Sequence, residues 1–204
     1  MDILTKYLSI DGLIEDPSQL LIIQELSILQ SHLITVDKRQ TNFLNMSFSN
    51  KEEWSNKGMY LWGDVGRGKT FLMDLFFETL DVKKKKRLHF HHLLDEIHEE
   101  LKLRKNVENP IKGIVKSIAK DVKVICFDEF YIEDIADAMI LSRLLDNIFK
   151  HNIHLVITSN TEPSELYKHG LQRELFLPAI ESIKKHLKVI NISKGDDHRL
   201  RNKD

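Results

Sequence analysis

The sequence Gly63-Asp64-Val65-Gly66-Arg67-Gly68-Lys69-Thr70 decides the fold, because it fits the pattern Gly-x-x-x-x-Gly-Lys-Ser/Thr at every fixed position. An apolar stretch, Met59 to Trp62, precedes it, and a helical pattern follows it. A strand, a glycine-rich loop and a helix in this order form a phosphate-binding loop, whose N–H groups and helix N-terminus face one anion. In this pattern Lys69 reaches the β- and γ-phosphates, and Thr70 binds Mg²⁺ through its hydroxyl. The alternative is a glycine-rich turn that binds nothing.

Apolar stretches and amphipathic patterns alternate on both sides of this loop. The predicted strands are Met59 to Trp62, Leu88 to Phe90, Val122 to Phe127, Ile153 to Thr158 and Lys188 to Ile192. The predicted helices are Lys69 to Leu80, Leu93 to Lys105, Ile111 to Lys120, Ile132 to Lys150 and Pro178 to His186. Strands that alternate with helices require right-handed crossovers and a mostly parallel sheet. The pattern therefore predicts an α/β fold in three layers around a five-stranded, mostly parallel sheet.

The chain divides into three parts by its sequence pattern. Residues 1–57 hold a long apolar helix, Ser18 to about Thr35, which begins at the capping sequence Asp16-Pro17-Ser18. A polar connecting segment, Asp37 to Lys57, follows this helix and is expected to hold at most one short helix or strand. Residues 58–192 form the alternating core, and residues 193–204 form a polar tail.

Composition narrows the classes of function. The 204 residues suit one domain, and 30 basic against 31 acidic residues give a net charge of -1. That balance argues against a general electrostatic attraction to nucleic acid or to an anionic membrane. The single cysteine, Cys126, excludes an internal disulfide and fits a reducing, cytoplasmic compartment. The most apolar stretch, Gln19 to Val36, is interrupted by Gln24, Glu25, Gln30 and His32, which argues against a membrane span.

A second chemical signal is the apolar strand that ends in Asp128 and Glu129. Behind a phosphate loop, Asp128 is expected to hold Mg²⁺, usually through water. Glu129 is expected to polarise the water that attacks the γ-phosphate, as a general base or water-positioning group. A hydrolytic glutamate favours an NTPase over a small-metabolite kinase. The alternative is an acidic pair that only caps the following turn.

Asn160 ends the next apolar strand, Leu155 to Ser159. The carboxyl ends of neighbouring parallel strands meet at the ligand edge of a sheet. Asn160 is therefore expected to orient the attacking water beside Glu129. The alternative is a turn-forming asparagine ahead of Pro163.

These motifs resemble those of the AAA+ NTPases, in which an extra strand lies between the phosphate-loop strand and the acidic strand. The Leu88 to Phe90 strand is assigned to that place. The chain resembles one family more closely, the ZapE-type cell-division ATPases of bacteria and their mitochondrial AAA relatives. The residues that carry this resemblance are Leu61 to Thr70, Arg87 to His91, Cys126 to Phe130, Asp134 to Met139, Thr158 to Asn160, Leu166 to Arg173, Phe176 to Ile180 and Asp197 to Arg201.

The resemblance implies ATP as the substrate and assembly into a ring or other oligomer. It implies that Arg173 is an arginine finger that reaches the γ-phosphate on a neighbouring subunit; a surface ion pair is the alternative. It also implies a role at the division site through the tubulin-like protein FtsZ. Gln19 would pair with the adenine edge, against a simpler interpretation as part of the helix cap. AAA+ proteins continue into a C-terminal helical lid, which this sequence is expected to lack.

Three further features are expected to be structural. His89, His91, His92 and His98 lie close in sequence, but a metal site would need another ligand, so packing or hydrogen bonding is favoured. The basic run Lys83 to Arg87 is interpreted as a solvated turn, with a nucleic-acid patch as the alternative. Cys126 is interpreted as an inert core residue.

The sequence therefore predicts an ATPase with Lys69, Thr70, Asp128 and Glu129 acting within one chain. Asn160 is predicted to be the sensor, and Arg173 is predicted to act on a neighbouring subunit. An ATP-switched adaptor or helicase-loader-like module with slow hydrolysis is the main alternative. A nucleic-acid binder and a P-loop kinase are weaker alternatives.

Overall fold

The structure, a computed structural model, describes residues 1–13, 16–41, 56–104 and 107–192. Its helices are α1 Ile3–Leu8, α2 Pro17–Thr41, α3 Lys69–Thr79, α4 Phe90–Leu103, α5 Pro110–Asp121, α6 Ile135–Lys150 and α7 Leu177–His186. Its strands are β1 Gly58–Trp62, β2 Lys85–His89, β3 Val124–Asp128, β4 His154–Ser159 and β5 Lys188–Asn191. Two short 3₁₀ turns, Pro163–Glu165 and Arg173–Leu175, lie between β4 and α7.

All five strands are parallel and lie in the order β2-β3-β4-β1-β5. The predicted α/β fold with a five-stranded parallel sheet is thus confirmed. The position given to the strand after the phosphate-loop helix was wrong, because β4 lies between β1 and β3 and β2 forms an edge. That edge suits β2, since no residue of this strand is fully buried, whereas every residue of β3 and β4 is.

Apolar side chains of the central strands point alternately to the two faces of the sheet, and each face is covered by helices. Met59, Leu61, Cys126 and Val156 pack in one core cluster with residues of α1, α2 and α3. The residues between them in the strands pack in a second cluster with α4, α5, α6 and α7. Burial raises the pKa of the Cys126 thiol to about 12. The central strands therefore need apolar residues at most positions, which explains why their middle residues form apolar runs.

The basic run is not the solvated turn that was predicted, because residues 85–87 belong to β2. The Lys85 ammonium donates to the carbonyls of Phe77 and Leu80 at 2.5 and 2.6 Å, at the C-terminus of α3. It also lies 4.7 Å from the centre of the Phe77 ring. A cation at a helix C-terminus satisfies carbonyls that have no partner within the helix. The lysine therefore belongs to the fold, although its charge made it look like a loop residue.

Two differences concern the N-terminal part. The long helix α2 continues to Thr41, past the predicted end at about Thr35, and the short helix α1 was not predicted. Most of the predicted connecting segment, residues 42–55, and the predicted tail, residues 193–204, lie outside the described residues. One described stretch, Pro17–Lys38, has the length and apolar composition of a membrane-spanning helix, as core helices often do. Since its Ile23, Leu26 and Leu29 are fully buried in the core, we keep the view that it does not span a membrane as a prediction.

Gln30 joins the three helices on this face. Its side-chain carbonyl accepts from the Ile3 N–H at 3.1 Å, and its amide nitrogen donates to the Thr79 carbonyl at 2.6 Å. Gln30 is 3% exposed, so water does not replace these bonds easily.

We predict that Gln30→Met lowers the free energy of unfolding by about 1–3 kcal/mol, because it leaves a buried donor and a buried acceptor without partners. Urea denaturation measures this change. The matched control is Gln24→Met on the exposed face of α2, which should change stability by less than about 0.5 kcal/mol. Equal effects of the two substitutions would contradict the bridging role of Gln30.

Candidate active site

The register of the sheet brings the predicted site residues to one edge. Trp62, the last residue of β1, pairs with Ser159, the last residue of β4. Phe127 of β3 pairs with Ile157 of β4, so β3 and β4 end within one residue of the same level. The phosphate loop, the Asp128-Glu129 pair and Asn160 all begin at these strand ends. Their common edge is the carboxyl edge, where parallel sheets bind ligands.

Hydrogen bonds of Thr158 and Ser159 tie the three strand ends together. Its carbonyl accepts from the Gly63 N–H at 3.3 Å, and its hydroxyl donates to the Phe130 carbonyl at 2.7 Å. The Phe130 N–H donates to the Thr158 carbonyl at 2.8 Å. Ser159 is 1% exposed. The end of β4 therefore holds both the start of the phosphate loop and the residue that follows Glu129.

The phosphate loop curls because its glycines adopt backbone angles that other residues avoid. Gly66 and Gly68 have φ angles of 82° and 83°, in the left-handed region. Gly68 is the N-cap of α3 and provides no side-chain cap, so the N-terminus of this helix is open to an external acceptor. Asp64, Val65, Gly66 and Arg67 are exposed, and the loop therefore faces solvent.

Lys69 turns back onto this loop. Its ammonium donates to the carbonyls of Gly63 and Asp64 at 2.7 and 2.8 Å. Burial lowers the pKa of Lys69, and the Asp64 charge opposes that shift. Thr70 follows in the first turn of α3 and is exposed. A buried ammonium beside an uncapped helix N-terminus suits a phosphate group, so these residues fit the nucleotide that the motif predicts.

Asp128 is 6% exposed. It accepts a hydrogen bond from Arg87, which the sequence motifs did not assign to the site. Arg87 Nε donates to Asp128 Oδ2 at 2.6 Å, and Arg87 Nη1 forms an ion pair with Asp74 of α3. Within the described part of the chain, the second carboxylate oxygen, Oδ1, has only a long contact of 3.5 Å with the Thr158 hydroxyl. The only sequence signal for Arg87 was its place at the start of a block of family resemblance.

Glu129 adopts an unusual backbone conformation. Its φ is 53°, which is rare for a residue other than glycine and occurs often at functional sites. Its N–H donates to the Thr158 hydroxyl at 3.4 Å. Its side chain is 73% exposed, and one carboxylate oxygen lies 4.0 Å from His89 Nδ1. The sharp turn therefore presents the carboxylate to solvent directly beyond the strand end.

Asn160 and Arg173 differ in how far their positions match expectation. Asn160 is exposed and directly follows β4, at the same edge as Asp128. Arg173 lies in the Arg173–Leu175 turn, and its Nη2 donates to the Ser164 carbonyl within the chain at 2.7 Å. In the described part of the chain, its Nε is buried without a hydrogen-bond partner. The contact that Arg173 makes is therefore not the predicted surface ion pair. Its guanidinium bonds to a carbonyl of its own chain and does not extend into solvent.

The N-terminus of α2 also reaches the phosphate loop. Asp16 caps this helix, since its carboxylate accepts from the Ser18 N–H at 2.8 Å. Gln19 Nε2 donates to the Arg67 carbonyl at 3.4 Å. A Cβ atom at Gly68 would lie 2.7 Å from that same nitrogen. Asp16 is therefore a helix cap and Gln19 lies against the phosphate loop, while the pairing of Gln19 with an adenine edge stays a prediction.

The histidines make separate contacts. His98 Nε2 lies 2.9 Å from Asp137 Oδ1, and the His91 ring is tilted against that of Tyr131, with 4.1 Å between the ring centres. The His89 and His92 rings meet edge to face at 5.8 Å. Among the described residues, no group of three or more histidine, cysteine or carboxylate side chains is arranged to hold a metal ion.

The parallel sheet, the glycine-rich loop and the acidic strand together define an α/β P-loop NTPase fold. The family model for AFG1-like ATPases matches residues 3–204. The chain therefore belongs to the AFG1-like ATPase family.

Two relatives illustrate the family. The chain is 49% identical over 145 residues to the cell division protein ZapE of Escherichia coli K12, an alignment that covers 71% of this chain and 39% of that protein. It is 36% identical over 219 aligned positions to lactation elevated protein 1 homolog B of Danio rerio, with 98% and 44% of the two chains covered. The chain thus spans less than half the length of these relatives.

Solved structures share the fold at lower identity. The crystal structure of DnaI superimposes with a TM-score of 0.56 and 21% identity, covering 93% of this chain and 89% of that chain. The DnaC helicase loader superimposes with a TM-score of 0.58 and 14% identity, covering 89% and 94%. DnaA from Aquifex aeolicus, bound to AMPPCP, superimposes with a TM-score of 0.57 and 14% identity, covering 89% and 48%.

Proposed function

We propose that this chain binds ATP with Mg²⁺ and hydrolyses it. The observation that carries the proposal is the common edge at which the phosphate loop, the Asp128-Glu129 pair and Asn160 follow neighbouring strands. Membership of an ATPase family supports it. Bound Mg²⁺ would neutralise charge on the β- and γ-phosphates.

Each side chain then has a specific task. Lys69 exchanges its two loop carbonyls for phosphate oxygens, and the N–H groups of the loop after Gly63, up to Thr70, surround the same anion. Thr70 would hold Mg²⁺ through its hydroxyl, and Asp128 would hold it through water. Glu129 accepts a hydrogen bond from the attacking water, and Asn160 orients that water. As the water oxygen bonds to the γ-phosphorus, the bond to the bridging oxygen breaks and ADP leaves.

We further propose that the chain acts as an oligomer in which Arg173 serves the site of a neighbouring subunit. In one chain Arg173 donates to Ser164, so it would have to leave that carbonyl to reach a γ-phosphate. This bond also favours the second candidate, an ATP-switched adaptor with slow hydrolysis, because a single chain then has no free finger. For the physiological setting we propose the cytoplasm and, by analogy with the E. coli cell division protein, a protein partner at the division site. FtsZ is the candidate partner that the family resemblance implies.

Hydrolysis tests the roles within one chain. We predict that Glu129→Gln lowers the steady-state rate by about 10²-fold or more and keeps nucleotide affinity, because only the water-activating carboxylate is lost. Lys69→Ala should lower both, because the loop loses its cation for the phosphates. Phosphate release and fluorescent-nucleotide titration measure the two effects.

The control for this test is Glu133→Gln, an exposed carboxylate just beyond the acidic strand, which should hydrolyse ATP at the wild-type rate. A wild type that binds ATP but hydrolyses it only slowly would favour the adaptor. If Glu129→Gln is as fast as wild type, the role given to Glu129 is wrong.

Mixing two inactive variants tests the role of Arg173 on a neighbouring subunit. We predict that Arg173→Ala slows hydrolysis by about 10³-fold, as loss of an arginine finger does. A mixture of Arg173→Ala with Glu129→Gln should regain activity, because some interfaces then combine an intact Glu129 with an intact Arg173. Light scattering with and without Mg²⁺ and ATP gives the mass in solution.

The matched control here is Arg143→Ala, which removes an exposed arginine from α6 and should leave the rate unchanged. A monomeric mass under both conditions, or a mixture no more active than its components, would contradict action on a neighbouring subunit.

A further inference from the structure

We infer that Arg87 is a positioning residue for the magnesium site, which fixes the Asp128 carboxylate and links it to the helix that carries Thr70. This inference rests on the proposed Mg²⁺ and ATP site. It starts from the guanidinium that contacts two carboxylates from two different elements. Arg87 Nε donates to Asp128 Oδ2 on β3, at 2.6 Å, and Nη1 pairs with Asp74 on α3.

Arg87 leaves one carboxylate oxygen of Asp128 for the metal. Arg87 takes Asp128 Oδ2, whereas the contact of Oδ1 with the Thr158 hydroxyl is a long one of 3.5 Å. A carboxylate with one oxygen fixed by a charged donor cannot rotate freely. Oδ1 is therefore the oxygen that faces a metal-bound water, and Arg87 determines that choice.

Arg87 also contacts the helix that carries Thr70, the second residue of the proposed magnesium site. Asp74 and Thr70 lie four residues apart on α3, so they share a face of the helix. By pairing with Asp74 as well as Asp128, Arg87 links the element that supplies the Thr70 hydroxyl to the strand that supplies the carboxylate. A planar guanidinium can hold two carboxylates at fixed angles, which a lysine ammonium does not do.

The ion pair between Arg87 and Asp128 is more buried than an ordinary surface ion pair. Of the ion pairs between described residues, the one between Arg87 and Asp128 has the most buried carboxylate, with 9% of its side chain exposed. The neighbouring pair on the same strand, Lys86 with Glu96, has side chains that are 45% and 60% exposed. Outer partners of a ligating carboxylate often change metal affinity by about 10–100-fold when they are removed. Lys86 therefore provides a matched control one residue away.

The experiment measures magnesium dependence separately from nucleotide binding. A fluorescent ATP analogue is titrated into the protein in EDTA and then at increasing Mg²⁺, and the Mg²⁺ concentration at half of the metal-dependent gain in affinity is recorded. We expect Arg87→Gln to raise this midpoint about tenfold or more and to leave the affinity in EDTA unchanged. Asp74→Asn, which leaves the bond from Arg87 to Asp128 possible, should raise it by a smaller factor. Lys86→Gln should stay within about twofold of wild type.

The outcomes separate the two levels of the proposal. A wild type whose nucleotide affinity does not respond to Mg²⁺ overturns the proposed magnesium site and this inference with it. If the wild type responds to Mg²⁺ and Arg87→Gln has the same Mg²⁺ midpoint as the wild type, only the inference is overturned. If Arg87→Gln lowers the nucleotide affinity in EDTA as much as it lowers the affinity with Mg²⁺, Arg87 supports the fold. That result also overturns the inference. If Arg87→Gln does not fold, Asp74→Asn decides, and an unchanged midpoint there contradicts the linkage.

Discussion

The parallel pairing of β4 with β1 on one side and with β3 on the other is the constraint on which the rest of this structure depends. It makes three chain segments leave the sheet at the same edge. The Ser159 carbonyl and hydroxyl then join the starts of two of these segments, at Gly63 and Phe130. Because every residue of β3 and β4 is buried, a slip of one residue would turn each side chain to the opposite face of the sheet and disrupt its packing. The geometry of the candidate site is therefore a property of the sheet rather than of the loops.

Two charged groups of the site are satisfied by the chain itself, and both are buried. The Lys69 ammonium has the carbonyls of Gly63 and Asp64, and the Asp128 carboxylate has Arg87. A buried charge without a partner is costly, so the protein alone must supply these bonds. Nucleotide binding then becomes an exchange of partners for Lys69, whereas Asp128 can keep Arg87 through one oxygen and use the other. This difference explains why the lysine bonds to the loop and the aspartate bonds to another strand.

The fold and the centre of the site could be predicted because their signals are local. The phosphate loop has fixed spacing, and β3 and β4 are unbroken apolar runs that end in polar residues. The contacts that were missed depend on distant partners. Lys85 belongs to a strand because its backbone pairs with Val124 of β3, and Arg87 belongs to the site because Asp74 and Asp128 lie beside it. The order of the strands was missed for the same reason, since no local pattern states which strand lies between two others. The bond from Arg173 to Ser164 likewise depends on the packing of two turns.

The central claim is that this edge binds the phosphates of ATP with Lys69 as the cation. The most direct test is a crystal structure of the protein with Mg²⁺ and a non-hydrolysable ATP analogue. The account predicts that Lys69 Nζ leaves the Gly63 and Asp64 carbonyls and lies about 3 Å from a β- or γ-phosphate oxygen. An analogue bound elsewhere, or a Lys69 that stays on its two carbonyls while the phosphates are bound, would contradict it.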